Sequence, residues 1–254
     1  NSYYNDIVKT HRMYLKNLSN SISIYELDPI QSAHISKVLR LKEGNYIELF
    51  DGDGAYCEAE ITSSSKRAVE IKIASEIKRI EKNKHSITSI IPYLKKDNLL
   101  FMAEKLTELG VNHLVFYKPN NIDQSLAKKD LTKLNKKILE VVIGGCKQSG
   151  INFLPQLEYY DSLSDVFMNS LTFKANSFAC TFDLEAANKL TPDDLNTRGN
   201  YVFITGPESG FSNDERFVMV DKKISSRSLG VNTLRAETAP IIGATLFQSF
   251  LGNI

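Results

Sequence analysis

Tryptophan is absent from this 254-residue chain, and cysteine is nearly so. Cys57, Cys146 and Cys180 have no CxxC spacing and no neighbouring pair of histidines. No metal site is therefore expected, and three unpaired thiols fit a cytoplasmic protein better than a secreted one. A bilayer-spanning apolar run is missing, so no membrane partner is expected either. The polar start NSYYNDIVKTH does not read as a signal peptide. Its lack of Met is expected to reflect a trimmed initiator residue or tag. Charge of one sign is not in excess: the net charge is +1, so any nucleic acid would have to meet local patches rather than a global basic field.

What is present divides into two grammars. From about Ser21 to Ala74 short segments alternate as strands do. SISIYEL, NYIELF, AYCEAEI and AVEIKIA are separated by turn signals, and Val69, Ile71 and Ile73 share one face. Asp51-Gly52-Asp53-Gly54 reads as a hairpin turn. HISKVLRL offers a short helix carrying His34, Lys37 and Arg40. Residues 1–74 are expected to form a small β-barrel or sandwich. Its cations cluster in KTHRMYLK and HISKVLRLK, as two solvated faces or as an RNA-facing edge. Residues 75–85, SEIKRIEKNKH, read as a linker.

Beyond it, residues 86–254 alternate strand and helix, which predicts an α/β domain with a mainly parallel sheet. SITSIIPYL, HLVFYKP, FACTF and YVFIT are the strands. KDNLLFMAEKLTELG is a helix with Leu99, Met102, Ala103 and Leu106 on one side and Gly110 as its stop. DLTKLNKKILEVV is a helix whose apolar stripe is Leu131, Leu134, Ile138 and Val141. Its other side carries Lys128, Lys129, Lys133, Lys136 and Lys137. TAPIIGATLFQSFL, with Pro240 in its first turn, is apolar on most of its circumference and suits a dimer interface.

The stretch GPESGFSNDE, residues 206–215, follows the YVFIT strand, where ligand loops of parallel sheets lie. Ser212 and Glu215 form a capping box that opens a helix. The loop has neither the Lys of a P-loop nor the spacing of a dinucleotide fingerprint, and Ser209 stands one place too late for a nucleophile elbow. Glu208, Asp214 and Glu215 are expected to crowd its mouth with negative charge. That disfavours a polyphosphate and suits a cationic ligand such as S-adenosylmethionine; a tight turn without ligand is the plain alternative. A second loop, SLGVNTLRAETAP, runs from Ser228 to Pro240.

The pair GPESGFS…E and SLG…LRAETA resembles the signature of the ribosomal small-subunit methyltransferase E family. HISKVLRLKEGNYIELFDGDG resembles that family's N-terminal PUA-like β-barrel, KLTELGV its first methyltransferase helix, and KQSGINFLP its Q-S-G segment. The likeness covers nearly the whole chain. It implies a knotted SPOUT methyltransferase domain with a deep trefoil knot, a homodimer, and transfer of methyl from S-adenosylmethionine to N3 of a uridine in 16S ribosomal RNA of the small subunit. By motif, Gly206 and Gly210 would shape one wall of the cofactor pocket. Leu229, Gly230 and Leu234 would line the adenine side, with Phe182 and Ile204 beside them. A SPOUT enzyme with another RNA target, or a non-catalytic RNA-binding protein on the same fold, are the alternatives.

Departures from the family pattern are Ser209 for a glycine, Lys147 and Ile151 flanking Q-S-G, the run NNIDQS, and Pro240. Those beside the Q-S-G segment bear on RNA contacts more than on cofactor binding. The chemistry requires the uracil N3 proton to leave before N3 attacks. Arg235 is expected to stabilise charge on a uracil carbonyl, with Glu208 or Glu237 accepting the proton; a salt bridge from Arg235 to either glutamate is the structural alternative. Arg12, His34, Lys37 and Arg40, with the lysine face at 128–137, are candidate RNA-phosphate contacts, and His11 and Tyr14 candidate stacking residues.

Overall fold

The computed structural model describes residues 10–65, 68–127, 130–170, 173, 177–195 and 199–254. Lys128 and Lys129, and the first nine residues of the chain, lie outside the described residues. The chain divides into two compact units: residues 1–82 with 146–154, and residues 83–145 with 155–254.

The first unit is a six-stranded sheet in the order β1-β3-β4-β5-β2, with β6 pairing β4. Its strands are β1 (Arg12–Tyr14), β2 (Ile24–Glu26), β3 (Tyr46–Phe50), β4 (Ala55–Ser64), β5 (Val69–Ile73) and β6 (Lys78–Arg79). The period-2 pattern puts Ile47, Leu49, Cys57, Ala59, Ile61, Val69 and Ile71 into one core with Met13 and Ile35. At the Asp51–Gly54 turn, Gly52 and Gly54 have φ of 78° and 95°, and the Asp51 carboxylate accepts from the Asp53 and Ala55 amides. The helix expected around His34 exists in two pieces: α1 (Pro29–Ala33), capped by Asp28, and a wider π-type turn over His34–Leu39 that Arg40 ends at φ 55°. The expected linker is partly structured, because Lys78–Arg79 adds an edge strand and the Arg79 guanidinium donates to the Asp53 carbonyl.

Arg12 corrects its sequence reading. Its side chain is 9% exposed, its Nε donates to Glu48 at 2.6 Å, and its Nη1 donates to the Cys146 carbonyl at 2.6 Å. Nη2 donates to Asn152 Oδ1, and the guanidinium lies over the Phe50 ring. Residues 146–154 therefore group with the first unit: the Gly54 amide donates to Asn152 O, and the Leu154 amide to Gly52 O. A guanidinium with every arm engaged is not a phosphate contact.

The second unit is an all-parallel sheet ordered β12-β10-β11-β7-β8-β9. The strands are β7 (Ser86–Pro92), β8 (His113–Tyr117), β9 (Gln156–Tyr160), β10 (Ser177–Phe182), β11 (Asn200–Ile204) and β12 (Ser225–Arg227). The helices are α2 (Lys96–Glu108), α3 (Gln124–Ala127), α4 (Thr132–Ser149, of which residues 132–145 belong to this unit), α5 (Leu163–Asn169), α6 (Asn213–Asp221) and α7 (Thr238–Phe250). Alternate residues of β11 face opposite ways. Val202 and Ile204 join Leu163 and Val166 of α5 and Met219 of α6, whereas Phe203 stacks at 5.4 Å on Phe247 of α7. Both faces of the sheet are thereby covered, as a parallel sheet requires. The α2 stripe is buried as expected and Gly110 follows it at φ 73°. On α4 the buried valine is Val142, with Val141 only half-buried, while Lys133, Lys136 and Lys137 are exposed. Among the described residues no helix is long and apolar enough to cross a membrane, and no cluster of three metal-ligating side chains occurs.

Replacing Arg12 by Ala strands Glu48 and the carbonyls of Cys146 and Ile151, so the variant is expected to lose roughly 2–4 kcal/mol in urea unfolding. Unchanged stability with weakened RNA binding would return Arg12 to the surface role.

Candidate active site

Strand β11 ends on a polar residue. Thr205 is 2% exposed; its amide donates to Ile90 O at 3.0 Å, and its carbonyl accepts from the buried Tyr117 hydroxyl at 2.9 Å. This pair pins the point where strand becomes loop. The loop Gly206–Gly210 then turns, with Gly210 at φ 75° and its amide donating to the Pro207 carbonyl. A side chain on Gly206 would meet the Phe211 ring at 3.3 Å, so glycine lets the aromatic lie against the backbone.

The capping box forms in full. Ser212 Oγ accepts from the Glu215 amide and Glu215 Oε2 accepts from the Ser212 amide at 2.8 Å. Glu215 Oε1 also accepts from the Asn120 amide at 3.0 Å, and the side chain is buried. Glu215 thus does not crowd the loop mouth, contrary to its sequence reading: its carboxylate is taken up by the Ser212 amide at the helix start and the Asn120 amide of the loop after β8. Asp214 is exposed and absent from the cleft wall.

The second loop is set by β12. Arg227 holds Asp194 through two hydrogen bonds, of 2.7 and 3.1 Å, and keeps that carboxyl below its usual range. Ser228 Oγ then accepts from the Gly230 amide, and Gly230 takes φ 136°. Helix α7 returns beneath: a Cβ on Gly243 would lie 2.4 Å from the Phe182 ring, so the glycine lets the helix seat that aromatic.

Between the two loops lies a cleft of about 250 Å³. Phe182, Gly206, Gly210, Leu229, Gly230 and Leu234 line it, as do Glu208 and Arg235. Two expected residues do not. Ile204 is buried in the α5–α6 core, because the strand's alternation turns it away, and Thr205 takes the place on the wall. Glu237 is buried at the start of α7, while its neighbours Ala236 and Ala239 line the cleft. Sequence reading also missed the pair Arg216–Asp183, 2.7 Å apart on the cleft wall, which holds the Asp183 carboxyl below its usual range. The one sequence signal was Thr205 itself, a polar residue closing an apolar strand.

Two observations fit the cleft to a polar, compact ligand. Thr205 Oγ1 is buried without a hydrogen-bond partner on the cleft wall. Arg235 is 83% exposed and its nearest approach to Glu237 is 4.0 Å, so the guanidinium remains available to a ligand.

A profile of the RNA methyltransferase domain matches residues 81–248, and one of the RNA methyltransferase PUA domain matches residues 28–74. The chain belongs to this RNA methyltransferase family. The ribosomal RNA small subunit methyltransferase E of Rickettsia conorii is 28% identical over 92% of this chain and 93% of its own length. Among solved structures, a methyltransferase of Legionella pneumophila with bound SAM superposes with a TM-score of 0.82 at 27% identity, covering 95% of this chain and 98% of its own. The ribosomal RNA small subunit methyltransferase E of Neisseria gonorrhoeae, bound to S-adenosyl methionine, gives 0.80 at 25% identity, covering 94% and 97%.

For this methyltransferase, the Thr205→Val variant is expected to keep or raise its Tm, because it removes an unsatisfied buried hydroxyl at constant shape. A drop of several degrees in calorimetry would mean that the hydroxyl is already bonded in the free protein.

Proposed function

We propose that this enzyme transfers methyl from S-adenosylmethionine to N3 of a uridine in 16S ribosomal RNA of the small ribosomal subunit. The observation that carries the reading is the cleft closed by the Gly206–Gly210 and Leu229–Arg235 loops, with an unpartnered threonine hydroxyl on one wall and, on the other, an exposed arginine that meets Glu237 only at 4.0 Å. The relatives' names and the ligand of the two solved neighbours support it.

Gly206, Gly210, Leu229, Gly230 and Leu234 would hold the adenosine part against backbone groups and apolar walls, with Phe182 closing the floor. Thr205 Oγ1 supplies a hydrogen bond to the ligand. When bound, S-adenosylmethionine supplies an electrophilic methyl on a positively charged sulfur. Arg235 stabilises negative charge developing on a uracil carbonyl oxygen. Of the two glutamates, Glu208 accepts the N3 proton; its exposure on the cleft rim supports this choice, as does the burial of Glu237 off the wall. The apolar walls exclude water from the reacting atoms, which strengthens each of these electrostatic contributions.

The same reading takes residues 1–74 as a PUA-like RNA-binding barrel, 75–85 as a linker, and 86–254 as a trefoil-knotted SPOUT domain working as a cytoplasmic homodimer. Supporting it are the place of β11 between β10 and β7, the return of α7 against α2 and β7, and the half-exposed Ile241, Ile242 and Leu246 of α7. RNA phosphates are met by His34, Lys37 and Arg40, all exposed on one short segment. His34 lies below its ordinary pKa because of partial burial and then its neighbours Lys147 and His11, so at neutral pH it would meet a phosphate as a neutral donor and the charge would come from Lys37 and Arg40.

The Arg235→Ala variant is expected to lower methyl transfer about a hundredfold while leaving S-adenosylmethionine affinity unchanged in calorimetry. Thr205→Val should do the reverse, weakening that affinity about tenfold. Equal loss of both quantities in Arg235→Ala would end the catalytic assignment. RNA affinity should also fall steeply with salt and lose slope in a Lys37→Ala, Arg40→Ala double variant. A flat salt dependence would contradict the phosphate contacts.

A further inference from the structure

A second cavity, of about 150 Å³, opens beside the cleft at the carboxyl ends of β7 and β8. Pro207 and Glu208 belong to the walls of both, so one side of the loop faces the cleft and the other faces this cavity. Its remaining walls come from Tyr93, Leu94 and Lys95 after β7, from Asn121 and Asp123 after β8, and from Ser209. Apart from the shared Glu208 and Pro207, none of these has a part in holding the methyl donor.

We infer that this cavity is the acceptor pocket, taking a single uracil base extruded from the RNA and presenting its N3 edge to Glu208. The inference rests on the methyltransferase reading above.

Size is the first reason. The cavity is smaller than the neighbouring cleft of about 250 Å³, and suits one pyrimidine ring whose ribose and phosphates stay outside. Chemistry is the second. The pairing edge of uracil presents an acceptor, a donor and an acceptor. The Lys95 ammonium, the Asn121 amide and the Ser209 hydroxyl can donate to the carbonyl that enters the cavity, the other being left to Arg235 of the adjoining cleft, while the Glu208 carboxylate can only accept, which suits N3–H. Cytosine would set a bare acceptor nitrogen against that carboxylate, a pairing of two acceptors that disfavours it.

Rigidity is the third. Tyr93 is 3% exposed, its hydroxyl donates to Asn135 Oδ1 at 2.7 Å, and its ring packs 6.0 Å from that of Phe116. This wall is therefore preformed. Lys95, by contrast, is 64% exposed and meets Asp123 only at 3.6 Å, so it can turn to a base carbonyl without leaving a buried charge behind. Tyr93 also borders a further depression lined by Tyr159, Tyr160 and Lys118 at the ends of β8 and β9.

The test uses the full chain, small ribosomal subunits lacking base methylation, and the exposed-site variant Asn121→Ala. Methyl-transfer kinetics and calorimetric affinity for S-adenosylmethionine are measured side by side. The variant is expected to lose about tenfold in kcat/KM for subunits while its S-adenosylmethionine affinity stays within about twofold of the parent. With short RNAs carrying cytidine in place of the methylated uridine, the parent should bind more weakly than to the uridine form, and Asn121→Ala should shrink that difference. A merely structural asparagine would not move this discrimination. An active parent with unaltered Asn121→Ala kinetics, or a variant losing donor affinity in step with transfer, would overturn the pocket assignment alone. A parent that transfers methyl to no RNA would instead remove the proposed function, and the pocket with it.

Discussion

The hydroxyl of Tyr117, fully buried at the end of β8, donates to the carbonyl of Thr205, one residue beyond β11. Nearly everything at the site depends on that bond. It fixes the level at which the parallel sheet stops, and therefore where the Gly206–Gly210 loop begins. A buried carbonyl needs such a partner, and here the partner is supplied across β7 by a strand that is not its direct neighbour. Burial also pushes the Tyr117 hydroxyl far above its ordinary pKa, so it stays a donor across the working pH range. With the carbonyl and amide of Thr205 both engaged, its side-chain hydroxyl alone is left facing the cleft.

From that fixed point the chemistry divides into two chambers served by one loop. Glycines on one side admit a ligand close to the backbone, and Glu208 separates this volume from the smaller cavity walled by Tyr93 and Asn121. The second loop supplies an arginine that no carboxylate holds tightly. An enzyme that must deprotonate one partner and align it with another needs this kind of arrangement: fixed walls, with the mobile charges at the rim.

The strand and helix grammar was legible because it rests on local rules. Alternation and short apolar runs located β2 to β5, β7, β8, β10 and β11, while β1, β6 and β9 were not read; Gly110 marked the end of α2, and the S-x-x-E spacing the start of α6. Site residues in loops were legible where glycine marked them. What escaped was decided by three-dimensional partners that spacing cannot reveal. Arg12 looks like a surface cation in KTHRMYLK, yet residues 146–154, over a hundred positions away, supply its acceptors. Glu215 looked like mouth charge until Asn120 and Ser212 claimed it. Ile204 and Thr205 differ by one position, and the period of two sends one to the core and the other to the wall.

The measurement that bears most directly on this account is transfer of labelled methyl from S-adenosylmethionine to small ribosomal subunits lacking base methylation, with the product nucleoside identified by mass spectrometry. The account predicts 3-methyluridine in 16S ribosomal RNA. A different methylated nucleoside would redirect the enzyme to another RNA target, and no transfer to subunits or naked RNA would leave a binding protein on a methyltransferase fold.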